Sequence, residues 1–158
     1  MLSFLLRYLG TRYRVSEDYG LDSTAYGSSK IFVEKYIESV YQWGNISSVI
    51  IVRIGAKFPH NRGEELERMI DEEIDEEMNT TLLSHMPISS KSSVINWLQS
   101  MWLSDQDACD LLTKCWTCTH KGFDIINLVS NNTNMKWDIE KTEQVLGVHP
   151  SSDFFKSH

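Results

Sequence analysis

Positive charge is in short supply in this sequence: 15 Lys and Arg stand against 22 Asp and Glu, for a formal net charge of −7. Phosphate neutralisation needs a concentrated basic face, and none occurs, which argues against a nucleic-acid partner and against an anionic membrane surface. Long hydrophobic runs are also missing. No stretch approaches the roughly 20 apolar residues that span a bilayer. The opening Met1-Leu-Ser-Phe-Leu-Leu is short, Arg7 interrupts it, and no small-residue cleavage site follows, so it reads as the cut-in end of a globular unit rather than a secretion signal. Cysteine is sparse and clustered. Cys109, Cys115 and Cys118 are an odd number in one segment, unlike a disulfide framework, and point to a reducing cytoplasm. Asn45-Ile-Ser, Asn79-Thr-Thr and Asn131-Asn-Thr match the glycosylation triplet, which carries little weight without a secretion signal.

What is present fits one domain of ordinary size: 158 residues, 41% hydrophobic and 23% charged. Residues up to Ser23 read mostly as loop. From Ala25, Ile31, Phe32, Tyr36, Val40 and Tyr41, with Val33 and Ile37 beside them, recur at helical spacing, and Glu34, Lys35 and Glu38 take the other side. The helix is expected to stop near Trp43, before Gly44-Asn45. Ser48-Val-Ile-Ile-Val-Arg-Ile54 is a β-branched run without alternation, the pattern of a strand buried on both faces in a parallel sheet. Asp124–Val129 is a second strand candidate. Between them Asp105–Trp116 has helical spacing, with Ser104 and Asp107 resembling a capped start. A last helix is expected over Asp138–Leu146, ending at Gly147. Gly63–Met78 is acidic, with Leu66, Met69, Ile70, Ile74 and Met78 on one helical stripe; a solvated face is the commoner use of such a helix. Thr80–Ser93 reads as a loop.

Tyr26 and Lys30, in Tyr26-Gly-Ser-Ser-Lys30, carry the chemistry. Four residues apart on a helix, they project from one face. A tyrosine hydroxyl ionises near about pH 10, too high for acid/base work at neutrality, and an ammonium one turn away favours the phenolate. Such a pair can move an alcohol's proton while hydride leaves its carbon. The spacing by itself is unspecific, so the surroundings decide.

Those surroundings are Ser16-Glu-Asp18, Ser23-Thr-Ala-Tyr-Gly-Ser-Ser-Lys30, Glu34, the strand closing on Arg53-Ile-Gly55, Trp102-Leu-Ser-Asp-Gln-Asp107, Ser130-Asn-Asn-Thr with Lys136-Trp-Asp138, and Leu146-Gly-Val-His-Pro150. In that order they resemble the extended short-chain dehydrogenase/reductase (NAD-dependent epimerase/dehydratase) family, closest to its uronate dehydrogenase branch. The likeness covers roughly residues 13–62 and 100–154. It implies an α/β fold: the C-terminal half of a Rossmann-type parallel sheet domain with a small substrate-binding lobe, without the N-terminal nucleotide-binding half. The chain would then be one partial domain, with the catalytic helix and strand in 1–62, an acidic insertion in 63–95 and the substrate lobe in 96–158.

By that resemblance Tyr26 is the acid/base, Lys30 lowers its pKa and binds the nicotinamide ribose, and the backbone at Ile54 and Gly55 lies near the nicotinamide of NAD. Arg62, after Phe58-Pro-His-Asn, would pair with a sugar acid's carboxylate, since a guanidinium fork suits bidentate binding. The family's Gly-x-x-Gly-x-x-Gly turn, which brings N–H groups to the pyrophosphate, is absent. Ser3 stands near the family's polarising Ser or Thr in spacing but not in surroundings, and Ala56 replaces a substrate-contacting Ser. A catalytically silent interaction module derived from the family is the alternative function.

Two further features have two readings each. In the family the Tyr26–Trp43 helix packs in a dimer interface, which Phe32, Tyr36 and Tyr41 would suit; alternatively they cover the sheet. Cys115-x-x-Cys118, with His120 and Cys109, has the ligand types of a zinc site, but Cys109 and Cys115 fall where a helix packs, so no metal is expected. An open edge on Ser48–Ile54 would promote association or poor folding of the isolated chain.

Overall fold

The computed structural model describes residues 25–58, 68, 91–135 and 137–156. Among them are α1 (Ala25–Trp43), β1 (Ser48–Ile54), α2 (Lys91–Ser100), α3 (Asp105–Thr117), β2 (Gly122–Leu128) and α4 (Glu140–Leu146). The two strands pair in parallel, from Ser48 opposite Gly122 to Ile54 opposite Leu128. The fold is therefore mixed α/β, with four helices and a two-stranded parallel sheet among the described residues. None of the described helices is long and apolar enough to cross a membrane.

Alternation along the strands assigns the layers, because successive side chains point to opposite faces. Ile50, Val52, Ile126 and Leu128 point to one face, where they meet Leu111, Ala108 and Cys115 of α3 and Leu146 of α4 around Leu103. The other face receives α1. Arg53 reaches Glu34, and Phe123, opposite Val49, meets the Tyr41 ring at 5.6 Å. Helices on both faces are how a parallel pair is kept out of water.

The edges of the sheet are unequal. The Asn127 N–H donates to Thr142 Oγ1 at 3.2 Å, and that hydroxyl donates back to the Asn127 carbonyl at 2.7 Å. Fully buried Thr142 thus stands in for a neighbouring strand and closes the outer edge of β2. No strand among the described residues pairs with the outer edge of β1.

Several sequence expectations need correction. Glu34, which the apolar periodicity puts on the solvent side of α1, is buried. The inward row is Ile31, Glu34, Ile37 and Tyr41, while Phe32, Val33, Tyr36 and Val40 are exposed. A buried guanidinium on β1 rotates the helix, because a charge leaves water only with a partner. The two readings of the aromatics are consequently divided: Tyr41 covers the sheet, and Phe32 and Tyr36, stacked at 6.3 Å, do not. Cys109 is exposed rather than packed, although Cys115 does pack. α2 begins inside the stretch read as a loop, and α4 begins at Glu140, with Asp138 Oδ1 accepting its N–H at 2.8 Å. β1 is half-buried along most of its length rather than buried on both faces.

Candidate functional site

Three of the sequence motifs meet at the carboxyl end of the strands. Beyond Ile54 and Leu128 the chains separate, and Met101–Leu103 enters between them. The Ala56 N–H donates to the Met101 carbonyl at 2.8 Å, Leu103 N–H to Ala56 O at 2.9 Å, and Ser130 N–H to Trp102 O at 3.0 Å. Gly55 stands at the fork. A Cβ there would lie 2.3 Å from Met101 O and 2.6 Å from Val129 Cγ1, so only glycine allows the backbones this close.

Below the fork lies a buried polar clasp. Ser104 caps α3 by accepting the Asp107 N–H at 2.9 Å, as its sequence position predicts. The reciprocal half of a capping box is absent. The Ser104 N–H goes to Ser130 Oγ at 2.9 Å, and the Asp107 carboxylate turns to the N–H groups of Ser151 and Ser152, at 3.0 and 3.1 Å. Burial pushes the Asp107 carboxyl up, but hydrogen bonds from Ser130, Ser151 and Ser152 outweigh it and leave the pKa below the usual carboxylate value. Asn132 binds the Ser100 and Trp102 carbonyls and accepts from Phe154 N–H. Asp153 accepts from Thr133 N and Oγ1, Phe155 N and Lys156 Nζ. There too burial raises the pKa and the hydrogen bonds overcompensate, holding the carboxyl far below its usual range. The motifs at 102–107 and 130–133, and the tail at 151–153, are one interlocked unit that fixes the floor of the site.

The second component is α1. Arg53 Nε donates to Glu34 Oε1 at 3.0 Å and Arg53 Nη2 to Oε2 at 2.7 Å, with both side chains 6% exposed. With Tyr41 over Phe123, this runs α1 antiparallel to β1. Four residues of helix, Glu34 back to Lys30, span about 6 Å. Two residues of strand, Arg53 to Gly55, span nearly the same distance, about 6.6 Å. Lys30 is therefore level with Gly55, where it is exposed. Tyr26 lies one turn further along α1. Ile54, at the end of β1, is 43% exposed, and Gly55 is buried.

The helix and strand thus bring Tyr26, Lys30, Ile54 and Gly55 to one end of the sheet. Arg62, Ser3, the Ser16–Asp18 motif and most of the acidic 63–95 stretch lie outside the described residues. Sequence reading missed the Glu34–Arg53 pair and the anchoring roles of Asn132 and Asp153. The signal was available for the first: an arginine inside a continuous β-branched strand demands a buried carboxylate.

A concavity, about 610 Å³ and open, lies at the opposite end of the sheet between Thr117–His120, Asp124 and Gln144–Gly147. There Asp124 binds Lys141 Nζ at 2.5 Å and faces His120 Nε2 at 3.3 Å. No group of three or more His, Cys, Asp or Glu side chains among the described residues could hold a metal ion. No protein-family model, curated protein or solved structure matches the chain.

Proposed function

We propose that the chain carries the catalytic end of an NAD-dependent oxidoreductase of the extended short-chain dehydrogenase/reductase type, acting on a sugar or sugar acid in the manner of a uronate dehydrogenase or a nucleotide-sugar epimerase. The observation that supports this reading is the Glu34–Arg53 pair, which holds α1, the helix that bears Tyr26 and Lys30, against a parallel strand; the carboxyl end of such strands is where open α/β sheets take their ligands. The fold would be the C-terminal half of a Rossmann-type sheet: helices on both faces, one edge closed by Thr142, and the β1 edge as the place where further strands add.

On this reading the described residues would meet the nicotinamide end of the cofactor. Exposed Ile54 and the backbone of Gly55 would line one side of the ring, and Lys30, level with them, would reach its ribose. The 158 residues contain no glycine-rich turn for the pyrophosphate, so that group would be held by residues outside them. When bound, NAD supplies the hydride acceptor. The chain's own work is the proton: Tyr26 takes it from the substrate hydroxyl, and the Lys30 ammonium favours the phenolate that receives it. Arg62 would hold a substrate carboxylate.

The test mixes the chain with NAD and a hexuronic acid and follows the absorbance of reduced cofactor. A signal lost in Tyr26→Phe is expected. Its absence from the wild-type chain at high concentration would overturn the catalytic reading. A second reading, a silent interaction module, is favoured by the exposed Phe32, Val33, Tyr36 and Val40 on α1 and by Trp43 at its end, 92% exposed, which would pair with a second copy.

A further inference from the structure

Cys115 and Cys118 have no part in the oxidoreductase chemistry, yet they share the last turn of α3. The Cys118 N–H still closes the helix onto the Lys114 carbonyl at 2.8 Å, so its Cα retains helical placement three residues from that of Cys115. Such positions are about 5 Å apart, inside the span a disulfide bridges. Cys118 Sγ lies 3.7 Å from the carbonyl oxygen of Cys115 itself, folded back over that turn. Its φ of −69° and ψ of 153° leave the helix, so the side chain can adjust. Both thiols are half-buried against the same apolar cluster, and Cys118 opens onto the concavity it shares with Thr119 and His120. Cys109, six residues before Cys115, is about 9 Å away along the helix axis and out of reach.

We propose that Cys115 and Cys118 are a reversible thiol–disulfide pair, closed by a small-molecule disulfide such as oxidised glutathione. The Cys118 thiolate, reached through the concavity, attacks one sulfur of the oxidant. The S–S bond breaks, and one glutathione leaves with its electron pair and takes up a proton. Cys115 loses its proton and attacks Cys118 Sγ, expelling the second glutathione. Two protein thiols are oxidised, and one disulfide is reduced to two thiols. Burial, and the charge of Cys118 beside it, push the Cys115 thiol up. A thiol that resists ionisation closes slowly, and its reduced form gains little from the thiolate, so the bond once made is stable.

The experiment equilibrates the full chain across reduced and oxidised glutathione ratios, quenches in acid, alkylates free thiols and identifies peptides by mass spectrometry. A Cys115–Cys118 link should appear as the ratio becomes oxidising and vanish with dithiothreitol, with Cys109 never joined to either. Cys109→Ser should leave the link unchanged; Cys118→Ser should remove it. The proposal fails if both cysteines alkylate as free thiols at the most oxidising ratio, if each retains glutathione, or if the link is lost in Cys109→Ser.

Discussion

Removing the Glu34 carboxylate while keeping Arg53 takes a bidentate charged partner from a guanidinium that is 6% exposed. Breaking a buried pair from one side costs about 3–5 kcal/mol, because the remaining charge keeps its desolvation penalty without the compensating attraction. Against a domain stability of about 5–15 kcal/mol, Glu34→Ala should remove a large share. Replacing both partners, as Glu34→Leu with Arg53→Met, should recover most of the loss, since no charge is then left behind. Urea unfolding followed by tryptophan fluorescence reports this, because Trp102 and Trp137 are each only 6% exposed. With a slope of about 2 kcal/mol/M, the single variant should shift the midpoint by roughly 1.5–2.5 M. A loss below about 1 kcal/mol, the value of a solvated pair, would refute the reasoning: α1 would not be held on β1 by this contact, and the placement of Lys30 beside Gly55 would go with it.

Gly55→Ala should cost about 3 kcal/mol or more, read as a fall in thermal midpoint, because Met101 O already accepts the Ala56 N–H and cannot withdraw freely. Gly147→Ala is its control: φ is 65° with nothing within 4 Å, so only conformational strain of about 1 kcal/mol is expected, and equal losses at the two sites would contradict the steric account. Asp107 and Asp153 have depressed folded pKa values, so the stability they contribute is complete above their unfolded value of about 3.9 and is lost as pH falls through the folded values. Asp107→Asn and Asp153→Asn should each lower the neutral-pH urea midpoint and flatten its decline on acidification. A parallel, unflattened curve would oppose the assignment.

Elements with strong local signals were legible. α1 ends where Gly44-Asn45 demands, β1 spans the whole β-branched run, and Ser104 caps α3. α2, Lys-Ser-Ser-Val-Ile-Asn-Trp-Leu-Gln-Ser, was obscured by its serines, which favour turns and caps in isolation. β2 starts two residues before its expected Asp124 and stops before Val129, because the Ser130 N–H leaves the ladder for Trp102 O, a tertiary choice with no local trace. The facing of α1 was misread for a related reason. Apolar periodicity marks where hydrophobic residues lie, and a buried ion pair reverses which side points inward. The motifs at 102–107 and 130–133 were visible as motifs, but their joint action as a clasp depends on backbone groups of residues 151–155 far along the chain.

The account turns on Lys30 standing beside the end of β1 as part of a nicotinamide site. Calorimetric titration of NAD into the chain and into Lys30→Ala tests this directly. Weak saturable binding, at about 1 mM or about −4.1 kcal/mol because the pyrophosphate lacks its glycine-rich turn, and lost in the variant with the fold intact by circular dichroism, is the predicted result. No saturable heat in the wild-type chain, or the same affinity without Lys30, would contradict it.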